Sequence, residues 1–205
     1  MVIATAMGLN CMIAPSARFI GPVTLGDRVR IHDGAVIGAP GEHRLLRSDR
    51  PSVIHIGDDT VIREHVTIMR GVDGDGPRYW GTNVGRRCYI MAGCHLEHDV
   101  QVGDDVTLSP HVCLAGHVAV LDGANLGIGV AVHQFVTVGA LAMVGMNAAV
   151  LHDVPTGAKV AGVPARIIGE NVVGIERSGY DAARMDELKA RYAELAGARA
   201  GMVRK

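Results

Sequence analysis

The chain has 205 residues, 48% of them hydrophobic but only 3% aromatic, with 27 glycines and a formal net charge of −1. That length supports one domain with a real aliphatic core, and the apolar content excludes disorder. No apolar run reaches the roughly 18 residues of a membrane span and no basic-then-apolar leader opens the chain, so no transmembrane segment and a cytoplasmic location are expected; the near-neutral charge also gives nucleic acid no footprint.

Taken in chain order, the first pattern is a period of six: Ile13, Phe19, Leu25, Ile31 and Ile37. It breaks near 39–53, a stretch rich in Gly, Pro and charge that contains Gly41-Glu42-His43-Arg44, and resumes at Ile56, Ile62 and Ile68. A second break near 70–83 holds the single Trp, Trp80. From Val84 to Val150 twelve successive hexad positions are aliphatic, each preceded two residues earlier by a small or β-branched residue such as Cys88, Val100 or Ala124. Residues i−2 and i share one face of a strand, so each hexad supplies a short strand with two inward side chains, and three strands close a coil of 18 residues. The twenty hexads predict an all-β parallel β-helix over 1–165, with the two breaks as loops that leave the prism. Beyond Pro155 the repeat fades, and Met185, Leu188, Tyr192 and Leu195 fall at helical spacing. Residues 166–205 are therefore expected to form a short helical C-terminal cap over the open top of the prism.

The repeat also says where the histidines point. Leu96, Leu114, Val132 and Val150 stand 18 apart and share one corner, which collects His95, His98, His117, His133 and His152 at outward or corner positions. His32, His43, His55, His65 and His111 fall off this column and read as surface or loop residues. Cys11, Cys88 and Cys94 occupy the small inward position and read as core fillers, which leaves only Cys113 facing outward. Asp99 beside His98 suits acid–base chemistry better than a metal, and the column offers no three-histidine set at matched depth, so no metal site is expected.

Several segments resemble the UDP-N-acetylglucosamine 3-O-acyltransferases that begin lipid A synthesis. They are Ile62-Arg63-Glu64 with Val66-Thr67-Ile68-Met69-Arg70-Gly71, His95-Leu96-Glu97-His98-Asp99, Leu114-Ala115-Gly116-His117, Val132-His133-Gln134-Phe135, and Asn171 to Tyr180. The resemblance implies a left-handed coil, a homotrimer with sites between subunits, and transfer of an acyl group from acyl carrier protein to the 3-position hydroxyl or amine of a UDP-amino sugar. It implies no cofactor, the carrier-protein thioester or an acyl-CoA serving as co-substrate. By the same resemblance His98 is the general base, Asp99 orients it, and the Gly116 N–H stabilises the oxyanion. His95, His117, His133 and Gln134 then contact sugar, phosphates or donor, while Asn171 and Arg177 hold the nucleotide.

The chain departs from the family pattern at Glu42 to Arg47, at Met69 where a His is usual, at Ser178 where a second Arg usually follows Arg177, and in a shorter helical tail. Two other readings remain: an acetyl-CoA-dependent acetyltransferase acting on another nucleotide sugar, and a non-catalytic β-solenoid scaffold.

Overall fold

A computed structural model describes residues 6–43, 52–72 and 81–203, with side chains to residue 197. Its strands form three sheets of seven, nine and seven members, and, apart from one antiparallel strand that ends the nine-membered sheet, every neighbour within a sheet is a strand from an adjacent coil. Face one runs from Ala6–Met7 to Thr137–Val138, face two from Met12–Ile13 to Arg166–Glu170, and face three from Arg18–Phe19 to Ala149–Val150. Pairing is parallel with partners 18 residues apart, as in Leu96↔Leu114 and Leu114↔Val132. The stack ignores the two interruptions: Ile37 pairs with Ile68, and Ile68 with Leu96. The segments thus leave the coil and return in register, which a two-residue inward pattern demands because a one-residue slip would turn the core outward. Most of the two expected loops, including Trp80, lies outside the described residues.

The core is the column of hexad positions. Ile37, Ile68, Leu96, Leu114, Leu126 and Val144 are completely buried, as are the i−2 residues Val66, Val100, Val118 and Ala142. Cys88 and Cys94 belong to this column, and burial pushes their thiols up to about 12 and about 11. One strand escaped the periodicity: Ala6–Met7 adds a turn before Ile13.

Corners on the three edges share one device. The residue three past the core position takes a left-handed backbone at most corners of the first two edges, among them Arg28, Asp59, Arg87 and Asp105 on the first and His65 and His111 on the second, and in three coils of the third. Equivalent corner residues stack, so Arg28 pairs with Asp59 at 2.6 Å and Arg87 with Asp105 at 2.7 Å. One residue earlier on the first edge, Asp27, Asp104 and Asp122 accept backbone N–H groups of the preceding coil, from Leu9, Arg86 and Asp104.

The C-terminal region differs from a cap. Residues 166–170 are a strand, Arg166–Glu170, antiparallel to Ala158–Ala161 at the end of face two. Two helices follow, α1 (Val172–Ser178) and α2 (Ala182–Val203). Helix α2 lies along the flank rather than across the top. Its Leu188, 1% exposed, packs on Ala119, Leu121 and Ala140, with Tyr180, Met185, Tyr192 and Leu195 around it. Small Ala119 and Ala140 leave an apolar seat there, and Arg184 reaches Asp122 at 3.1 Å beside it. Hydrophobic contact with that seat outweighs any gain from covering the upper strands.

Candidate active site

The third edge, where the chain passes from face three to face one, gathers most of the candidate site residues. Asp99, His117 and Phe135 occupy its left-handed corner positions, with φ of 58°, 61° and 64°. A non-glycine residue tolerates that backbone only when its surroundings hold it. Here His117 stacks flat on Phe135, ring centroids 4.6 Å apart, and His98 meets His117 edge-on at 4.9 Å. The edge therefore holds a continuous aromatic ladder rather than a row of independent imidazoles.

His98 sits at the corner but is only 6% exposed, and Asp99 only 1%. The sequence puts His98 at an outward or corner position and Asp99 beside it, without showing this cover. The segments that leave the prism cover them: Gly41 packs so closely that a Cβ there would lie 2.6 Å from His98 Cβ, and the His43 ring stands edge-on at 5.5 Å. Asp99 Oδ2 lies 3.0 Å from His98 Nδ1 and accepts the Val72 N–H, while Oδ1 accepts the Gly81 N–H. An ionised carboxylate only accepts, so the hydrogen belongs on Nδ1 and Nε2 presents its lone pair. That nitrogen faces Gly116. A Cβ on Gly116 would stand 2.7 Å from Nε2 and 2.6 Å from Cε1, so only glycine fits against the ring. Among the described residues the Gly116 N–H donates to no protein acceptor. The Nε2 side of the His98 ring and the backbone of Gly116, its N–H uncommitted among the described residues, thus lie against each other.

His95 faces outward from face three. Its Nδ1 is 2.7 Å from Thr67 Oγ1, and its Nε2 is 3.5 Å from Glu97 Oε2. The neighbouring Glu97 carboxylate holds the His95 imidazole above its ordinary value despite burial. Burial pushes Glu97 up, yet His95 and the N–H groups of Glu42 and His98 together outweigh it and leave the carboxyl low. Glu97 Oε1 also accepts the Glu42 N–H at 2.6 Å, which ties the segment bearing His43 down beside His98.

The remaining sequence-predicted residues are more dispersed. His133 and Gln134 are exposed on the same edge, with His133 Nδ1 3.1 Å from the Gln134 carbonyl, and His152 is exposed above them. Asn171 stands at the first edge instead. It caps α1 by accepting the Gly174 N–H, and its Nδ2 donates to the Leu141 carbonyl. Arg177, in the last turn of α1, is exposed with no partner among the described residues. Within one chain neither is brought to His98. Sequence reasoning missed His43, Glu97 and Phe135. The first lies where the hexad phase is broken, whereas the phase of Phe135, 18 residues past His117, was available.

His98, Asp99 and His117 place one donor atom each within 4.8 Å of one another, a spacing a metal can use. Asp99, however, lies behind the ring on Nδ1. An ion on Nε2, at the roughly 2.0–2.1 Å of a zinc–nitrogen bond, would have that carboxylate on its far side. The set fits a hydrogen-bonded acid–base pair better than a tetrahedral centre.

Residues 81–116 match the family model for the bacterial transferase hexapeptide (six repeats). The acyl-[acyl-carrier-protein]–UDP-N-acetylglucosamine O-acyltransferase of Alkalilimnicola ehrlichii is 43% identical over 142 residues, which cover 69% of this chain and 54% of that protein. Its namesake from Campylobacter concisus is 34% identical over 187 residues, covering 91% and 70%. The solved UDP-N-acetylglucosamine acyltransferase of Campylobacter jejuni superposes with a TM-score of 0.77 at 33% identity, over 90% of this chain and 71% of that one. This chain spans under two thirds of the length of several curated relatives it matches. The hexads, the left-handed β-helix they build and these likenesses agree, and the chain belongs to the acyl-[acyl-carrier-protein]–UDP-N-acetylglucosamine O-acyltransferase family.

Proposed function

We propose that the protein transfers an acyl group from a carrier-protein thioester to the 3-position hydroxyl or amine of a UDP-amino sugar, with His98 as general base. One observation carries the reading: the lone pair of His98 Nε2, set by Asp99, converges with the backbone of Gly116. The acceptor hydroxyl gives its proton to Nε2 as its oxygen attacks the thioester carbonyl. The tetrahedral oxyanion accepts the Gly116 N–H, and collapse expels the thiolate, which takes the proton back from His98. The base contributes roughly 10²–10⁴-fold and the oxyanion donor about 3 kcal/mol. Both substrates meet in one cleft, so no covalent acyl-enzyme and no cofactor is required.

Asn171 and Arg177 fit nucleotide binding only if a neighbouring copy supplies them, because their own chain carries them on another edge; we therefore place the sites between subunits of a homotrimer. Among the described residues no helix is long and apolar enough to cross a membrane, in keeping with work in the cytoplasm beside acyl carrier protein.

The test is to incubate purified protein and UDP-N-acetylglucosamine, or its 3-amino analogue, with acyl carrier protein thioesters of several lengths and separately with acetyl-CoA. A product heavier by one long acyl group, made only from the carrier thioester, is expected. Turnover with acetyl-CoA alone would transfer the assignment to an acetyltransferase, and wild-type rates from His98→Ala would leave only a scaffold.

A further inference from the structure

Arg70 follows the strand Thr67–Met69 and is 9% exposed. Among the described residues none of its five N–H donors makes a hydrogen bond or an ion pair. None of its nitrogens is a fully buried, unpaired atom, so the stem is packed while the guanidinium keeps a narrow contact with water. Register places it with care. Thr67 pairs with His95 and Ile68 with Leu96, so Arg70 and His98 are equivalent corner residues one coil apart. The side chain runs down the same edge, away from His98, and lies over Gly21, where a Cβ would stand 3.3 Å from Nη1. Gly21 lies three coils below His98, so the guanidinium and the His98 ring are separated by two to three coil spacings, roughly 10–15 Å.

We propose that Arg70 is an anion subsite at the lower end of the His98 edge, which receives a phosphate of a substrate whose reacting group lies at His98. This rests on the acyl-transfer reading, in which both partners carry phosphate: the nucleotide sugar as a diphosphate, the carrier arm as a phosphodiester. A planar fork with all donors unspent is suited to two phosphate oxygens at once. Among the described residues no carboxylate pairs with it.

The proposal makes two linked demands that a structural arginine does not. Replacing Arg70 with Met keeps the packing stem and removes a charge that makes no hydrogen bond or ion pair among the described residues, so Tm should stay within about two degrees of wild type. Affinity for the phosphate ligand should fall by roughly 10- to 100-fold. Titration calorimetry of wild type, Arg70→Met and Arg70→Lys with UDP and, separately, with 4′-phosphopantetheine reads the second demand. Loss with UDP alone assigns the subsite to the nucleotide, and loss with phosphopantetheine alone assigns it to the carrier arm. Arg70→Lys, which retains charge without the fork, should keep wild-type Tm and lose affinity severalfold. A larger fall in Tm for Arg70→Met, or undiminished affinity of both variants for both ligands, overturns the proposal. Neither readout needs turnover, so an inactive wild-type protein would sink the acyl-transfer reading and leave this measurement intact.

Discussion

The first and third edges of the prism share one backbone and divide the labour. Both place left-handed residues three past core positions, along the whole first edge and in three successive coils of the third, and stack them on their equivalents in the next coil. On the first edge that stacking is spent on the fold: Asp27, Asp104 and Asp122 accept N–H groups from the coil beneath, and Arg28 and Arg87 pair with Asp59 and Asp105. On the third edge the same positions hold Asp99, His117 and Phe135, and the segments around Gly41 and Val72 fold over them. The difference lies in cover. Exposed charge pairs on an open corner contribute little beyond register, whereas a His–Asp pair closed off from water gains both strength and a fixed tautomer.

The sharpest way to break this contrast is on the covered edge. Substituting His98→Ala is expected to lower kcat by roughly 10²–10⁴-fold with little change in Tm. Gly116→Ala should match it, because a Cβ 2.6 Å from His98 Cε1 must displace the ring. Asp99→Asn comes next. The amide retains the shape but no longer enforces the hydrogen on Nδ1, and a loss of at least about 100-fold is expected in single-turnover assays. Circular dichroism of all three should show an intact β-helix; a collapsed fold would mean that these residues serve structure on this edge too.

How much of this was legible beforehand follows from the range of each interaction. Leu96, Leu114 and Cys88 were readable as core because hexad spacing is local and uninterrupted around them. The histidines were gathered on the correct edge but not on the correct rung. His98, His117 and His133 differ in offset from the core position, and what meets His117 is Phe135, its equivalent one coil away. His43 was unreadable, since its place depends on where a segment out of phase returns, through Gly41 on His98 and Glu97 on Glu42. The seat of α2 was hidden for a similar reason. The stripe Met185, Leu188, Tyr192 and Leu195 announced a helix, whereas Ala119, Leu121 and Ala140, far off in sequence, decide which surface it covers.

On the open flank the effects should be ones of stability. Leu188→Ala removes the most buried side chain of α2 from its seat and should cost about 2 kcal/mol or more in urea denaturation. Smaller again is the His95–Glu97 contact at the border of the two regimes. Its sign can be worked out from both partners. His95 is raised in the fold, so its contribution is complete below the ordinary imidazole value near 6.5 and fades as pH rises through the folded value. Glu97 is lowered, so its contribution is complete above the ordinary value near 4.5 and is lost as pH falls through the folded one. The pair therefore stabilises most between about pH 4.5 and 6.5. Glu97→Gln should flatten a Tm-against-pH curve in that window by the equivalent of about 1 kcal/mol or less. A curve unchanged in shape would show that Glu97 acts only through the Glu42 N–H.

The remaining effect belongs to the first edge. Asp104 Oδ1 accepts the Arg86 N–H at 2.8 Å and its other oxygen pairs with the Arg86 side chain. Burial pushes Asp104 up, but the Arg86 N–H and guanidinium outweigh it and hold the carboxyl below its ordinary value. Its contribution is thus present above the ordinary carboxylate range and disappears as pH falls through the folded value. Asp104→Ala should cost about 0.5–1.5 kcal/mol at neutral pH, shrink toward zero in acid, and leave kcat untouched. If that variant slowed turnover as well, the two edges would be mechanically coupled through the shared coil, and the division between a structural corner and a chemical one would have to be abandoned.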